Sequence, residues 1–451
     1  MDVSTLIRDA RARLEISCAD FSNLLGLKDT EGQTFRDWEA GTSEPSSYNL
    51  KRLLKIAGLV NPPPFACKIK KPRYQFIDLF AGIGGFRLAF QEPKGECVFS
   101  SEIDRNARIT YAANFGEVPS GDICEIPASV IPDHDILLGG FPCQAFSQAG
   151  LKKGFKDTRG TLFFQIQRIL AAKQPAAFVL ENVKRLTTHD NKRTFETICQ
   201  ILRGDFDVSS LPKNMALSED ARKTLTTKLN YYVDFKVLKG TDFGIPQCRE
   251  RVFIVGINRD KLSKRTTDAD IQQAFWLPTP RQTHTTLADV LIPNEDLPRD
   301  ESNKWTKPTI SQKLWKGHKD RKLRNQKNGK GFGYSLFTHS SPYASTISAR
   351  YYKDGSEILI DQTDIGLSRP RKLTPREAAR LQGFPDTFRI DAVSDNELYK
   401  QMGNSVTIDV VKGVRNHLLL GMQQLELIDS LPKQINHLSE RPPQTMLRFA
   451  S

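Results

Sequence analysis

Apolar residues between Tyr74 and Asn258 come in short runs, each closed by turn-forming residues. Phe76-Ile77-Asp78-Leu79-Phe80, Cys97-Val98-Phe99 and residues 135–138, 177–180 and 252–256 have the length and side-chain content of buried strands. Helical spacing takes over between them, from Phe86 onward and again across residues 162–172. Strand, turn and helix in repeated succession predict an α/β domain over residues 74–258, doubly wound on a mostly parallel sheet.

The pattern changes on both sides. Leu6, Ile7, Leu14, Phe21, Leu24, Leu25 and Leu27 recur at helical intervals, and Gly26 and Gly41 stand where helices would stop. Residues 1–70 are expected to form a small all-α unit with a linker, marked by Asn61-Pro62-Pro63-Pro64 and the basic residues after it. Residues 259–368 lose the alternation and predict a loop-rich second domain, with a strongly basic run at 316–330. Helical signals resume across 375–382 and after Asn404, so residues 369–425 are expected to return to the sheet domain. No role is legible in the tail, 426–451, or in 204–230, which reads as an insertion.

Composition narrows the function classes. Hydrophobic residues make up 39% of the 451, enough for a sizeable core, yet no apolar run is long enough to cross a bilayer. The first residues, up to Arg13, lack the apolar stretch of a signal peptide, so a cytoplasmic protein with no membrane partner is expected. The seven cysteines never fall as Cys-x-x-Cys, which argues against a disulfide framework and a zinc site; no metal is expected. A formal net charge of +13 favours a polyanionic partner, although a basic surface that binds nothing has the same composition.

Candidate chemistry sits at the predicted strand ends. The turn after the first strand, Ala81-Gly82-Ile83-Gly84-Gly85, lets backbone approach a ligand closely, and Glu102 follows the second strand where an acidic residue commonly holds ribose hydroxyls. That pair points to a nucleoside-containing cofactor; taken alone, NAD, flavin and a plain tight turn compete. Gly139-Gly140-Phe141-Pro142-Cys143-Gln144 aims a thiol from a rigid Pro-Cys turn into the cleft of an open sheet, with a buried structural cysteine as the alternative. Glu181-Asn182-Val183 brings a carboxylate to a neighbouring strand end, which suits a reaction where one group attacks and the other moves a proton. Arg249 and Arg251 share one face of an extended segment and suit a phosphate, a carboxylate or a developing oxyanion, while surface salt bridging remains the simpler reading for Arg-x-Arg in isolation.

Taken in order, residues 78–90, Glu102, Gly121-Asp122-Ile123, residues 139–147, Glu181-Asn182-Val183 and residues 247–251, 373–385 and 399–406 resemble the full motif series of bacterial DNA cytosine-5 methyltransferases, over residues 74–420. The resemblance implies the S-adenosylmethionine-dependent methyltransferase fold and S-adenosyl-L-methionine as cofactor. It implies that Cys143 is the nucleophile toward C6 of cytosine and that Glu181 holds and protonates N3. Arg249 and Arg251 would position the base and the Pro-Cys loop. Phe80, Gly82, Gly84, Glu102, Asp122, Pro142, Leu162, Asn404 and Val406 would surround the cofactor. The segment 148–160, with three glycines, resembles the loop that closes over a flipped base.

Residues 259–368 correspond to the target-recognition domain of that family. Thr346, Ile347, Arg350, Tyr351 and Lys353 lie in a stretch that resembles the version used for CCGG, CCNGG or CCWGG sites, and they are the expected DNA contacts. Residues 1–60 resemble a repressor-type helix-turn-helix domain, which implies a second DNA site in an operator of the enzyme's own operon; a helical cap is the plainer reading. Double-stranded DNA is the expected partner, with a cognate restriction endonuclease linked genetically and not physically. The contrasting readings are a non-catalytic DNA-binding regulator on a methyltransferase scaffold, against which Cys143, Glu181, Arg249 and Arg251 argue, and an RNA cytosine-5 methyltransferase.

Overall fold

Five of the six strands of the sheet form where the apolar runs predict them. A computed structural model describes residues 2–29, 31–58, 62–66, 69–92, 94–141, 162–207, 227–280, 285–331 and 333–429. Pro142, Cys143, the segment 148–160 and most of the presumed insertion and tail lie outside the described residues. Strands β1 (Tyr74–Leu79), β2 (Gly95–Ser101), β3 (Ile136–Gly140), β4 (Ala177–Val183), β5 (Tyr231–Lys239) and β6 (Glu250–Asn258) form one sheet in the order β2-β1-β3-β4-β6-β5. β1 pairs in parallel with β2 and β3, and β3 with β4, while β6 runs antiparallel to both of its neighbours.

Both faces of the sheet are covered, as the continuous apolar runs require. Phe76, Ile136, Leu138, Val179 and Val255 pack with α5 (Gly85–Phe90) and α14 (Ile408–Gln424) on one side. Ile77, Leu137, Phe178, Leu180 and Ile254 pack with α7 (Leu162–Lys173) and α8 (Arg193–Arg203) on the other. Strand alternation sends neighbours such as Phe76 and Ile77 to opposite faces. The chain leaves the sheet after β6 and comes back through α12 (Pro375–Arg380), α13 (Asp395–Asn404) and α14. A fully buried ion pair, Arg371 Nη1 to Glu377 Oε2 at 2.8 Å, anchors the start of that return. Glu377 also completes the capping box that Thr374 opens on α12.

The amino-terminal residues form four helices: α1 (Val3–Leu14), α2 (Cys18–Leu25), α3 (Gln33–Ala40) and α4 (Ser47–Ile56). Asp2, Ser17 and Ser46 cap three of them at the start, and Gly26 and Gly41 close α2 and α3 in the left-handed conformation. Phe21 stacks on Phe35 with ring centroids 4.6 Å apart. This core is not self-contained: Ile109, Ala112 and Ala113 of α6 (Arg105–Phe115), which follows β2, belong to the same cluster.

Residues 259–368 contain more regular structure than the loop-rich expectation. α9 spans Asp268–Ala274 and α10 spans Gln312–Lys327, so most of the basic run is a 16-residue helix. Among its side chains only His318 and Asn325 are buried, which is why no apolar periodicity announced it. Two short parallel strands, β7 (Leu336–Phe337) and β8 (Leu359–Ile360), flank α11 (Tyr351–Asp354).

Candidate active site

Five of the six strands run one way, β6 being the exception, and send their carboxyl ends to one edge of the sheet. The chain crosses from β2 on one side of β1 to β3 on the other, so a crevice opens between the ends of β1 and β3. Phe80 follows β1 with φ at 56°, and Gly82 and Gly84 also take positive φ, which bends the chain sharply into α5. A Cβ at Gly84 would stand 2.3 Å from the Phe115 ring, so this glycine serves close packing and does not line the crevice.

The crevice is a cavity of about 620 Å³. Phe80, Gly82, Glu102, Asp122, Leu162, Asn404 and Val406 line it, together with Glu181, Arg249 and Arg251. The Gly82 N–H donates to Glu102 Oε2 at 2.8 Å and the Asp104 N–H to Oε1 at 2.7 Å, so the carboxylate is oriented from both sides. Burial raises the affinity of Glu102 for a proton, against the opposing pull of those N–H donors. Next to it Ile103 is 71% exposed at the cavity wall, an apolar side chain left uncovered beside a carboxylate. Sequence reasoning passed over Ile103 and also Gln401, whose Oε1 accepts from the Thr110 hydroxyl at 2.9 Å.

Glu181 and the arginines meet because β6 is reversed. Its amino end lies at the edge where β4 finishes, with Val183 opposite Arg251 and Glu181 opposite Phe253. Arg251 Nε reaches Glu181 Oε1 at 2.9 Å. Burial pushes the Glu181 carboxyl above its ordinary range, and Arg251 and then Arg249 pull it back only in part. Arg249 is buried and committed elsewhere: Nη1 donates to the Ile347 carbonyl at 3.2 Å, and Nη2 to those of Gly403 and Ser405 at 3.0 and 2.6 Å. Burial, with the Arg251 charge beside it, brings its pKa down to about 9. Asn182 Nδ2 donates to the Phe141 carbonyl at 2.8 Å, which holds the backbone just before Pro142 and Cys143 against the end of β4.

The five expected DNA contacts divide. Arg350 and Lys353 are exposed, and Thr346 is half-buried with its hydroxyl donating to the Cys248 carbonyl at 2.6 Å. Ile347 and Tyr351 are each 0% exposed, which corrects their reading as contacts. The Ile347 N–H donates to Gln247 Oε1, and the Tyr351 hydroxyl donates to the Ile358 carbonyl while accepting from the Leu373 N–H. Apolar burial and satisfied polar groups make both internal supports of the segment.

The sequence profile of the C-5 cytosine-specific DNA methylases matches residues 74–205 and 214–419. The chain belongs to that family. It is a DNA (cytosine-5)-methyltransferase, in keeping with two bacterial relatives of nearly full length. Type II methyltransferase M1.ScrFI of Lactococcus lactis subsp. cremoris is 46% identical over 419 residues, 93% of this chain and 95% of that protein. Type II methyltransferase M.SsoII of Shigella sonnei is 46% identical over 419 residues, 93% and 98% of the two chains. Such coverage takes in part of the sequence before residue 74, where the family match begins. The crystal structure of S. pombe Dnmt2 methyltransferase shares the fold, with a TM-score of 0.56 at 18% identity, covering 78% of this chain and 99% of that one. No helix among the described residues is long and apolar enough to cross a membrane.

One buried group beneath the glycine turn makes a measurable contribution. Burial pushes the Asp78 carboxyl up to about 8, with Arg87 opposing and Glu102 adding to the rise. Its folded-state pKa lies above the unfolded value near 3.8, so the folded state binds the extra proton and stability declines as pH rises from about 4 to 8. Asp78→Asn removes that titration. The variant is expected to gain on the parent by an amount that grows across this interval to the order of a few kcal/mol. Chemical denaturation of both proteins at pH 5 and pH 8 measures it; a difference independent of pH would refute the assignment.

Proposed function

We propose that the enzyme methylates C5 of a cytosine flipped out of a specific duplex site, with S-adenosylmethionine as the methyl source. The observation that carries this reading is the meeting of Glu181, Arg251 and the Asn182-held approach to Pro142-Cys143 on the cavity that also contains Glu102. The lining fits the cofactor. A carboxylate oriented by two N–H donors suits ribose hydroxyls, and uncovered Ile103 offers an apolar face to adenine. Bound there, S-adenosylmethionine supplies an electrophilic methyl group. Pro142, Leu162, Asp122, Asn404 and Val406 are further candidates for contact with it, and Phe80 closes one side.

The chain's own residues then make C5 reactive. The Cys143 thiolate adds to C6 while Glu181 gives its proton to N3, and the electrons of the C5–C6 double bond become available at C5. After C5 accepts the methyl group, it gives its proton to solvent, the sulfur–C6 bond breaks and the N3 proton returns to Glu181. A carboxyl whose proton affinity is raised by burial suits that exchange. Arg251 orients Glu181, and Arg249 braces the wall behind it. C5 is inaccessible in stacked DNA, so the base must leave the helix. Glu181→Gln is expected to slow methyl transfer about 10²–10⁴-fold while duplex binding changes little. Single-turnover transfer of labelled methyl groups beside a binding titration checks this; equal losses in both would argue against the proton-transfer role.

Residues 259–368 act, on this reading, as the recognition domain, with α10 supplying phosphate contacts through exposed residues such as Lys316, Lys319 and Arg324. The site is of the CCGG, CCNGG or CCWGG type, and its methylation protects DNA from a cognate restriction endonuclease. Exchanging these residues for the matching segment of a relative with another site should carry the methylated sequence across, as bisulfite mapping would reveal. Specificity that stays with the rest of the chain would sink the assignment.

The first four helices act as an operator-binding helix-turn-helix that represses the enzyme's own operon, with α3 entering the major groove. Gln33 and Arg36 are exposed on α3. Replacing both by alanine is expected to abolish promoter occupancy in a footprinting assay and leave methylation intact. Unchanged occupancy would reduce the unit to a helical cap.

A further inference from the structure

Beside α10 lies a cleft of about 620 Å³ lined by Lys322, Tyr334, Ser335, Ser345, Thr346 and Glu357, among others. Glu357 is the one acidic residue of that lining among the described residues. Its carboxylate is half committed. The Ser348 hydroxyl donates to Oε1 and itself accepts from the Arg350 N–H, which holds the side chain in place. Oε2 is shielded from water and has no hydrogen-bond partner among the described residues. A shielded acceptor left unmatched is costly, and each such group in a folded protein calls for an explanation such as a missing ligand. The terminal torsion of a glutamate is soft, so a modest rotation presents Oε2 to the cleft.

We infer that Glu357 reads the target site by accepting a hydrogen bond from the N4 amino group of a cytosine in the major groove. A carboxylate offers acceptors alone. Guanine turns two acceptors to the major groove, thymine an acceptor and a methyl group, and adenine an amino group beside the acceptor N7. Cytosine offers an amino donor with no acceptor next to it, the edge that a single free carboxylate oxygen matches. Lys322, whose ammonium lies 4.3 Å from the Tyr334 ring centroid, carries donors suited to O6 and N7 of the paired guanine. The cleft also has a fixed offset from the reacting base. Thr346 and Ile347 are bonded to residues 247–249, and a Cβ at Gly403 would stand 2.2 Å from the Ser348 backbone.

This inference rests on the reading of residues 259–368 as the recognition domain, and the test separates the two. The full chain, with S-adenosylmethionine, is given duplexes randomised around a cytosine, and methylated positions are sequenced after bisulfite treatment. Glu357→Gln is expected to weaken the requirement for cytosine at one position about tenfold to a hundredfold and to admit adenine there, whose N6 and N7 an amide matches. An equal loss of methylation at every sequence, with the base profile unchanged, would mean that Glu357 only braces Ser348 and would overturn the inference. In a second arm the parent enzyme receives duplexes in which each non-target cytosine of its site is replaced in turn by the pyrimidin-2-one nucleoside, which lacks N4. One position should lose methylation by a similar factor; indifference at all of them overturns the inference even where the variant fails to fold. If the segment exchange fails to move specificity, the recognition reading itself falls. If it succeeds and Glu357→Gln keeps the profile, only this inference does.

Discussion

The reversal of β6 is the constraint on which the site depends. Nine residues of strand extend about 30 Å, so a parallel β6 would deliver Arg249 and Arg251 to the far edge of the sheet. Running the other way, it brings Arg251 opposite Val183, one diagonal step from Glu181 on the neighbouring strand. Parallel-strand ends supply the glycine turn after β1, Glu102 after β2 and Phe141 after β3, while Leu162 at the start of α7 and Asn404 and Val406 at the end of α13 complete the wall. The acid and the cation thus come from opposite chain directions, which a fully parallel sheet cannot arrange at one edge.

That arrangement raises the proton affinity of Glu181 despite the cations beside it. Two arginines nearby would ordinarily hold a carboxylate well below its usual range, yet burial wins and the shift is upward. Arg249 is itself buried, and its Nη1 and Nη2 atoms donate to the Ile347, Gly403 and Ser405 carbonyls and not to Glu181. Arg251 is left as the main counter-charge, through the ion pair to Oε1. A carboxyl whose proton affinity is raised by burial suits an exchange in which the proton is given and taken back, for which a fully compensated pair would be held as the anion.

Much of this was legible in the chain because strand ends carry the chemistry. Five of the six strands of the main sheet were marked by short apolar runs, and the turn, Glu102, Glu181 and the arginines fall where those runs stop or start. β5 was missed because Asp234, Lys236 and Lys239 interrupt its apolar positions, as suits an edge strand half open to water. α10 was missed for a related reason, since its buried side chains are a histidine and an asparagine. Ile347 and Tyr351 show a different limit. A linear motif does not separate the residues a loop presents from those that hold it, and only burial tells Tyr351 from Arg350 beside it. Gly84 belongs with them, a motif glycine kept by the Phe115 ring.

Boundaries drawn by composition are not boundaries of packing. The amino-terminal helices share their core with Ile109, Ala112 and Ala113 of α6, and the same helix is capped by Asp104, whose N–H holds Glu102 and whose side chain pairs with Lys400 at 2.7 Å. At Gly26, a Cβ would stand 2.4 Å from the Arg105 guanidinium, so the contact between α2 and α6 is close at its polar rim as well. Cutting the chain near residue 70 would bare an apolar face of α6, the helix whose Ala107 lines the crevice. Loss of activity in a truncated protein would therefore say little about DNA binding by the amino-terminal unit. Substitutions confined to the outer face of α3 leave that shared core intact, and they are the changes that separate what the helices bind from what they hold up.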